Sequence, residues 1–182
     1  MKDSDWFGAV ALIAAVLVVL VGGWAMSAQG SGSAPATSAT TTGVSYLNLT
    51  IAINATSGMP QYLPANFSVP RGEVKVTLTD EDLVANWSTC PCQVTGTVGN
   101  TESINGSAPV SAVNPMDVAH TFSVPQLGIN VYSPGQSTIT FTLSLDRTGQ
   151  FSWFCEDPCG ADGLTGAPMG LPGYMSGTMT VF

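Results

Sequence analysis

The stretch "STITFTLSL", residues 137 to 145, alternates apolar and polar side chains without a break. A strand with that pattern carries Ile139, Phe141, Leu143 and Leu145 on one face and its threonines on the other, whereas a helix would scatter them around its surface. The pattern recurs along the chain. "SYLNLTIAI" aligns Leu47, Leu49, Ile51 and Ile53, "EVKVTLT" aligns Val74, Val76 and Leu78, and "GQFSWFC" aligns Phe151, Trp153 and Cys155. "VAHTFSV" and "SGTMTVF" read as further strands. Gly/Pro-rich turns separate these runs, and no helical window follows residue 26. Six or more short strands in one stretch predict an all-β domain, a two-sheet sandwich or Greek-key barrel.

The N-terminal part differs. Residues 6 to 26, "WFGAVALIAAVLVVLVGGWAM", carry no charge and are long enough to cross a bilayer as one helix. Trp6 and Trp24 sit near its ends, where interfacial aromatics belong. The preceding tail, residues 1 to 5, is net acidic, unlike the basic start of a cleaved leader. The expectation is therefore a retained single-pass transmembrane anchor. Residues 27 to 43, rich in Ser, Thr, Gly and Ala, form a predicted flexible linker. Residues 44 to 182 are the predicted domain, with a long, weakly patterned insertion at 80 to 116.

The domain's charges are sparse and one-sided. Arg71, Lys75 and Arg147 are its only Lys or Arg residues, against ten Asp or Glu. That balance excludes a nucleic-acid partner, which needs a basic face. Asn48, Asn54, Asn66, Asn86 and Asn105 stand in glycosylation sequons. Such sites are used on external surfaces, which places the domain on the extracellular or periplasmic side.

Soft metal ligands gather late in the sequence. His120, the sole histidine, lies on a predicted strand. Cys155 ends another, Cys159 follows four residues later, and Met175 precedes the last strand. Imidazole, thiolate and thioether together suit copper. Cys90 and Cys92 flank Pro91 within the insertion. Paired cysteines outside the cell also form disulfides, so Cys90, Cys92, Cys155 and Cys159 are all disulfide candidates.

"LPANFSVPRGEVKVTLT", "MDVAHTFSVPQLGINVYSPGQSTITFTLSLDRTGQFSWFCEDPCGA" and "MSGTMTVF" together resemble subunit II of haem-copper respiratory oxidases. The resemblance covers nearly the whole domain apart from the insertion. It implies a cupredoxin-like Greek-key β-sandwich behind a membrane anchor, carrying the dinuclear copper centre called CuA. It also implies a haem-bearing subunit I as partner, no haem in this chain, and a donor that is quinol or a small redox protein. Transferred one by one, the family's copper ligands fall on His120, Cys155, Cys159 and Met175, with the backbone carbonyl at Asp157. The second histidine of the family falls on Gly163, and the segment between Cys159 and Met175 is longer than the family's. Asp162 and Met169 are the candidate substitutes.

The resemblance thus implies a degenerate CuA centre, modified or lost, in a quinol-oxidase-type complex where the subunit is not itself an enzyme. Without a second imidazole, Cys155 and Cys159 are expected in disulfides, with each other or with Cys90 and Cys92, and not as bridges between two coppers. Rival readings are an electron-transfer subunit that still binds copper through a modified site, a free membrane-tethered copper protein, a copper chaperone or store, and a structural cell-surface β-domain.

Overall fold

The computed structural model describes residues 43–83, 90–157 and 167–182. The predicted anchor at 6–26 and the linker up to residue 42 lie outside them. Among the described residues no helix is long and apolar enough to cross a membrane.

Two five-stranded sheets make up the domain. The first has the order β2-β1-β4-β8-β5, with β1 at Ser45–Ile53, β2 at Pro60–Leu63, β4 at Gly72–Asp80, β5 at Ser103–Ile104 and β8 at Ser137–Leu145. The second has the order β3-β10-β9-β6-β7, with β3 at Asn66–Val69, β6 at Val118–Val124, β7 at Ile129–Pro134, β9 at Gly149–Phe154 and β10 at Ser176–Val181. β1 runs parallel to β4 and β10 runs parallel to β3; the other pairings are antiparallel. Parallel neighbours require a crossover, and the chain supplies the first by passing through β2 and β3 between β1 and β4. One short helix, α1 at Ala167–Gly170, leads towards β10, where the sequence predicts none.

The predicted alternation holds where a face meets the other sheet. In β8, Ile139, Phe141, Leu143 and Leu145 are buried, and in β4 so are Val74, Val76 and Leu78. In β1, Leu49 and Ile51 are buried and Leu47 partly so, but Ile53 is exposed. Ile53 pairs with Pro60 at the hairpin end, beyond the reach of the opposing sheet.

Both sheets contribute to one core. Trp153 lies at its centre, 4.6 Å from the Tyr62 ring and 5.6 Å from the Phe122 ring. Each such side chain contributes roughly 2–3 kcal/mol through the water it excludes. Trp153 Nε1–H donates to Ala65 O at 2.8 Å, so its polar edge is satisfied as well.

Residues 90–116 form a small lobe tied to the sheets by isolated bridges, Thr95 to Asn130 and Thr97 to Leu143, and closed on itself by Gln93 to Ala112 and Glu102 to Val110. Val94, Val113 and Cys92 bury against Val118 and Tyr132, making a second apolar cluster. The lobe therefore covers part of β6 and β7. All seven residues of β6 are buried, and nearly all of β7. Gly96 permits the close docking: with φ at +73° it lies against Gly128 and Ile129, where an added Cβ would come within 2.6 Å of the backbone.

Candidate metal centre

His120 owes its orientation to an irregularity in β6. The register with β7 shifts between Val118, opposite Pro134, and His120, opposite Ser133. A bulge of this kind re-aims a side chain. His120 is buried, with Nδ1 facing Cys155 Sγ at 4.0 Å and Nε2 3.0 Å from Asp82 Oδ2.

Cys155 follows β9 directly and is fully buried. Its sulfur receives the Thr121 backbone N–H at 3.3 Å, with the Thr121 hydroxyl at 3.9 Å and the Asp157 carbonyl 3.7 Å away. Its own N–H donates to the Met175 carbonyl at 2.9 Å, which extends the β9–β10 ladder and brings buried Met175 alongside. Thr121 Oγ1 also accepts from Glu156 N at 2.6 Å and so fixes the chain just after the cysteine.

The structure thus brings together His120, Cys155, the Asp157 carbonyl and the backbone of Met175. Met169 packs at the edge of the main core. Cys159 and Asp162, together with Gly163 and the sequon residue Asn86, lie outside the described residues. Among the described residues no three of His, Cys, Asp and Glu gather as a metal-holding group.

Cys90 and Cys92 lie paired with each other within the lobe. Of the sequon residues, Asn48, Asn66 and Asn105 are exposed, whereas Asn54 is half-buried and donates its Nδ2 to Gln61.

Two acids missing from the sequence-derived ligand set stand beside His120. Asp82 Oδ2 takes the Nε2 contact, and Asp80 is buried with Oδ2 accepting from Ser133 Oγ at 2.8 Å. Their signal was the run Asp80-Glu81-Asp82, three acids in a sparsely charged domain, directly after an apolar strand.

Charge at the site is strongly coupled. Burial alone would push His120 down, but its hydrogen bonds to Asp82 and Cys155, with the nearby charges of Cys155 and Asp80, outweigh it and raise the imidazole to about 10. The His120 bond holds Asp82 below the usual carboxylate range. Burial raises Asp80 to about 6, against the opposing pull of His120 and Ser133. Asp157 is pushed up to about 8, first by burial and then by Cys155.

No protein-family model matches the chain, and no curated protein does. Among solved structures, one of auracyanin B is similar at 12% identity, over 76% of this chain and 88% of that one, with a TM-score of 0.37. A score that low supports nothing beyond the two sheets already described.

Proposed function

We propose that this is a cupredoxin-type domain that holds copper through a modified site, in a subunit II of a terminal oxidase. The observation that carries the copper reading is the 4.0 Å approach of His120 Nδ1 to Cys155 Sγ. Metal–nitrogen and metal–sulfur bonds of about 2.0 and 2.3 Å span such a gap with one shared ion at a bent angle. The donor set fits a soft metal: one imidazole, one sulfur, a thioether candidate in Met175 and the Asp157 carbonyl.

Copper in such a place supplies one-electron transfer. The chain's own residues supply rigidity and exclude water. The Thr121 N–H directed at Cys155 Sγ stabilises negative charge on sulfur, and burial of His120, Cys155 and Met175 keeps the surroundings dry. Oxidase membership rests on the resemblance of the His120 and Cys155 segments, the predicted anchor and the predicted external placement.

A second reading has some geometric support. Sulfur, imidazole and carboxylate lie in the order Cys155, His120, Asp82, as in a thiol nucleophile with its base and orienting acid. Complete burial of Cys155 opposes it, because no substrate carbonyl reaches the sulfur.

The test is metal analysis and an optical spectrum of protein purified from its native membranes. The expected result is copper with a sulfur-to-copper absorption that Cys155→Ser abolishes. Absence of copper in protein whose cysteines are reduced would overturn the copper reading. Co-purification with a haem-bearing multi-span subunit supports oxidase membership, and its absence favours a free tethered copper protein.

A further inference from the structure

Asp82 is anchored through its backbone and its side chain. Its backbone N–H donates to Asp80 Oδ1 at 3.0 Å, and its carbonyl accepts from Gln136 N at 2.9 Å. Its Oδ1 accepts from Leu83 N at 2.8 Å, which leaves Oδ2 for His120 Nε2 at 3.0 Å. Asp80 is in turn held by Ser133 Oγ, and Ser133 is the residue paired with His120 across β6 and β7. The bulge that turns His120 and the acids that grip it therefore form one hydrogen-bonded unit.

An unrestrained imidazole rotates about its ring bond and moves its proton between two nitrogens. Neither freedom remains here. An ionised carboxylate can only accept a hydrogen bond, so Nε2 carries a proton whether or not Nδ1 does. A flipped ring would set a carbon against Asp82 and lose that bond. Both Asp82 oxygens are engaged in hydrogen bonds, Oδ1 with Leu83 N and Oδ2 with His120 Nε2.

We propose that Asp82 is a positioning residue of the metal site, holding His120 as the Nε2–H donor so that Nδ1 is the nitrogen offered to the metal beside Cys155 Sγ. This rests on the copper reading above. A ligating histidine whose other N–H is given to a carboxylate has its tautomer and ring orientation fixed and its basicity raised. The contact also brings the insertion into the site, because Asp82 lies near its start.

The chain has one histidine, so His120 gives an unambiguous signal. Full-length wild type, Asp82→Asn and Asp82→Ala, labelled with ¹⁵N in histidine, are compared with metal removed and then titrated with cobalt(II) and copper(II). In the wild type a slowly exchanging proton is expected on Nε2. Asp82→Ala should lose it to solvent exchange, while Asp82→Asn, whose amide oxygen still accepts, should retain it in part. Cobalt(II) affinity should fall about 10–100-fold in Asp82→Ala, with an intermediate loss in Asp82→Asn. If Asp82→Ala fails to fold, the same comparison is read from Asp82→Asn. An Nε2 proton equally protected in all variants, or unchanged cobalt affinity and absorption, would overturn the proposal. If the wild type binds neither metal the copper reading fails, and the Nε2 proton still decides whether Asp82 fixes the ring: its loss in the variants supports that role, and its absence from the wild type refutes it.

Discussion

Glu102 is none of the proposed metal ligands and offers a test of the burial described above. It is 1% exposed. Its Oε2 accepts the Tyr132 N–H at 3.2 Å, and among the described residues no donor reaches Oε1. Burial raises its carboxyl from 4.5 to about 8, and the one N–H from Tyr132 only partly offsets this. The folded protein therefore keeps Glu102 protonated at neutral pH, while the unfolded chain ionises it above about 4.5. In that window the folded state binds more protons. The contribution to stability is complete below about 4.5, falls as pH rises, and levels off above about 8. At about 1.4 kcal/mol per pH unit, the loss across the window is on the order of 3–5 kcal/mol. Glu102→Gln has the same shape, keeps an acceptor for Tyr132 N and cannot ionise. It should match the wild type within about 1 kcal/mol at pH 4.5 and exceed its stability by a few kcal/mol at pH 8.5. Asp80, Asp157 and His120 titrate in both proteins and cancel in the difference. Equilibrium urea unfolding, followed by tryptophan fluorescence from pH 4.5 to 9, measures it. A difference between the two proteins that stays constant with pH would refute the reasoning, because it would mean that Glu102 is ionised in the fold.

Three substitutions test the packing. At Gly177 an added Cβ would collide with the Ala65 carbonyl and come within 2.8 Å of Trp153 Nε1, so Gly177→Ala should cost about 3 kcal/mol or more in urea unfolding and blue- or red-shift the Trp153 emission. Tyr62 donates its buried hydroxyl to Thr121 O at 2.8 Å, and Tyr62→Phe should cost about 1–2 kcal/mol with little change in the cooperativity of unfolding. Gly96→Ala should loosen the lobe and leave the sheets standing, seen as faster proteolysis within residues 90–116 ahead of global unfolding.

What the sequence reveals depends on whether a strand has one buried face or two. β4 and β8 each meet the opposing sheet on one side and solvent on the other, so their alternation is plain. β7, "INVYSP", is covered on both sides once the lobe docks, and its period vanishes. β2 and β3 are four residues long and β5 only two, too short for a period to register. The lobe's apolar cluster joins Val94, Val113, Val118 and Tyr132, residues too scattered in sequence to form any local pattern. The same division holds at the site. His120, Cys155 and Met175 stand out by ligand type alone. Asp82 does not, because its importance comes from a turn that bonds Asp80, Gln136 and Leu83 around it.

β6 shows why such a site belongs in this strand. Its sequence "VAHTFSV" places polar His120, Thr121 and Ser123 among apolar residues, and an exposed outer face would let water satisfy the latter two. All three are buried instead, so each must find a partner within the protein. Ser123 Oγ bonds Asn130 Oδ1 at 2.7 Å, Thr121 Oγ1 bonds Glu156 N, and His120 bonds Asp82. One of those three partners, Glu156, directly follows Cys155, and the Thr121 N–H bonds the sulfur itself. The bonds that satisfy Thr121 in β6 are therefore also the ones that frame Cys155. Movement of Cys155 would break the Thr121 contact and strain the Glu156 contact beside it, which leaves two buried polar groups to be satisfied again. The sulfur and its backbone are thus held from two sides, by the Thr121 N–H on Sγ and by the Met175 carbonyl that accepts the Cys155 N–H.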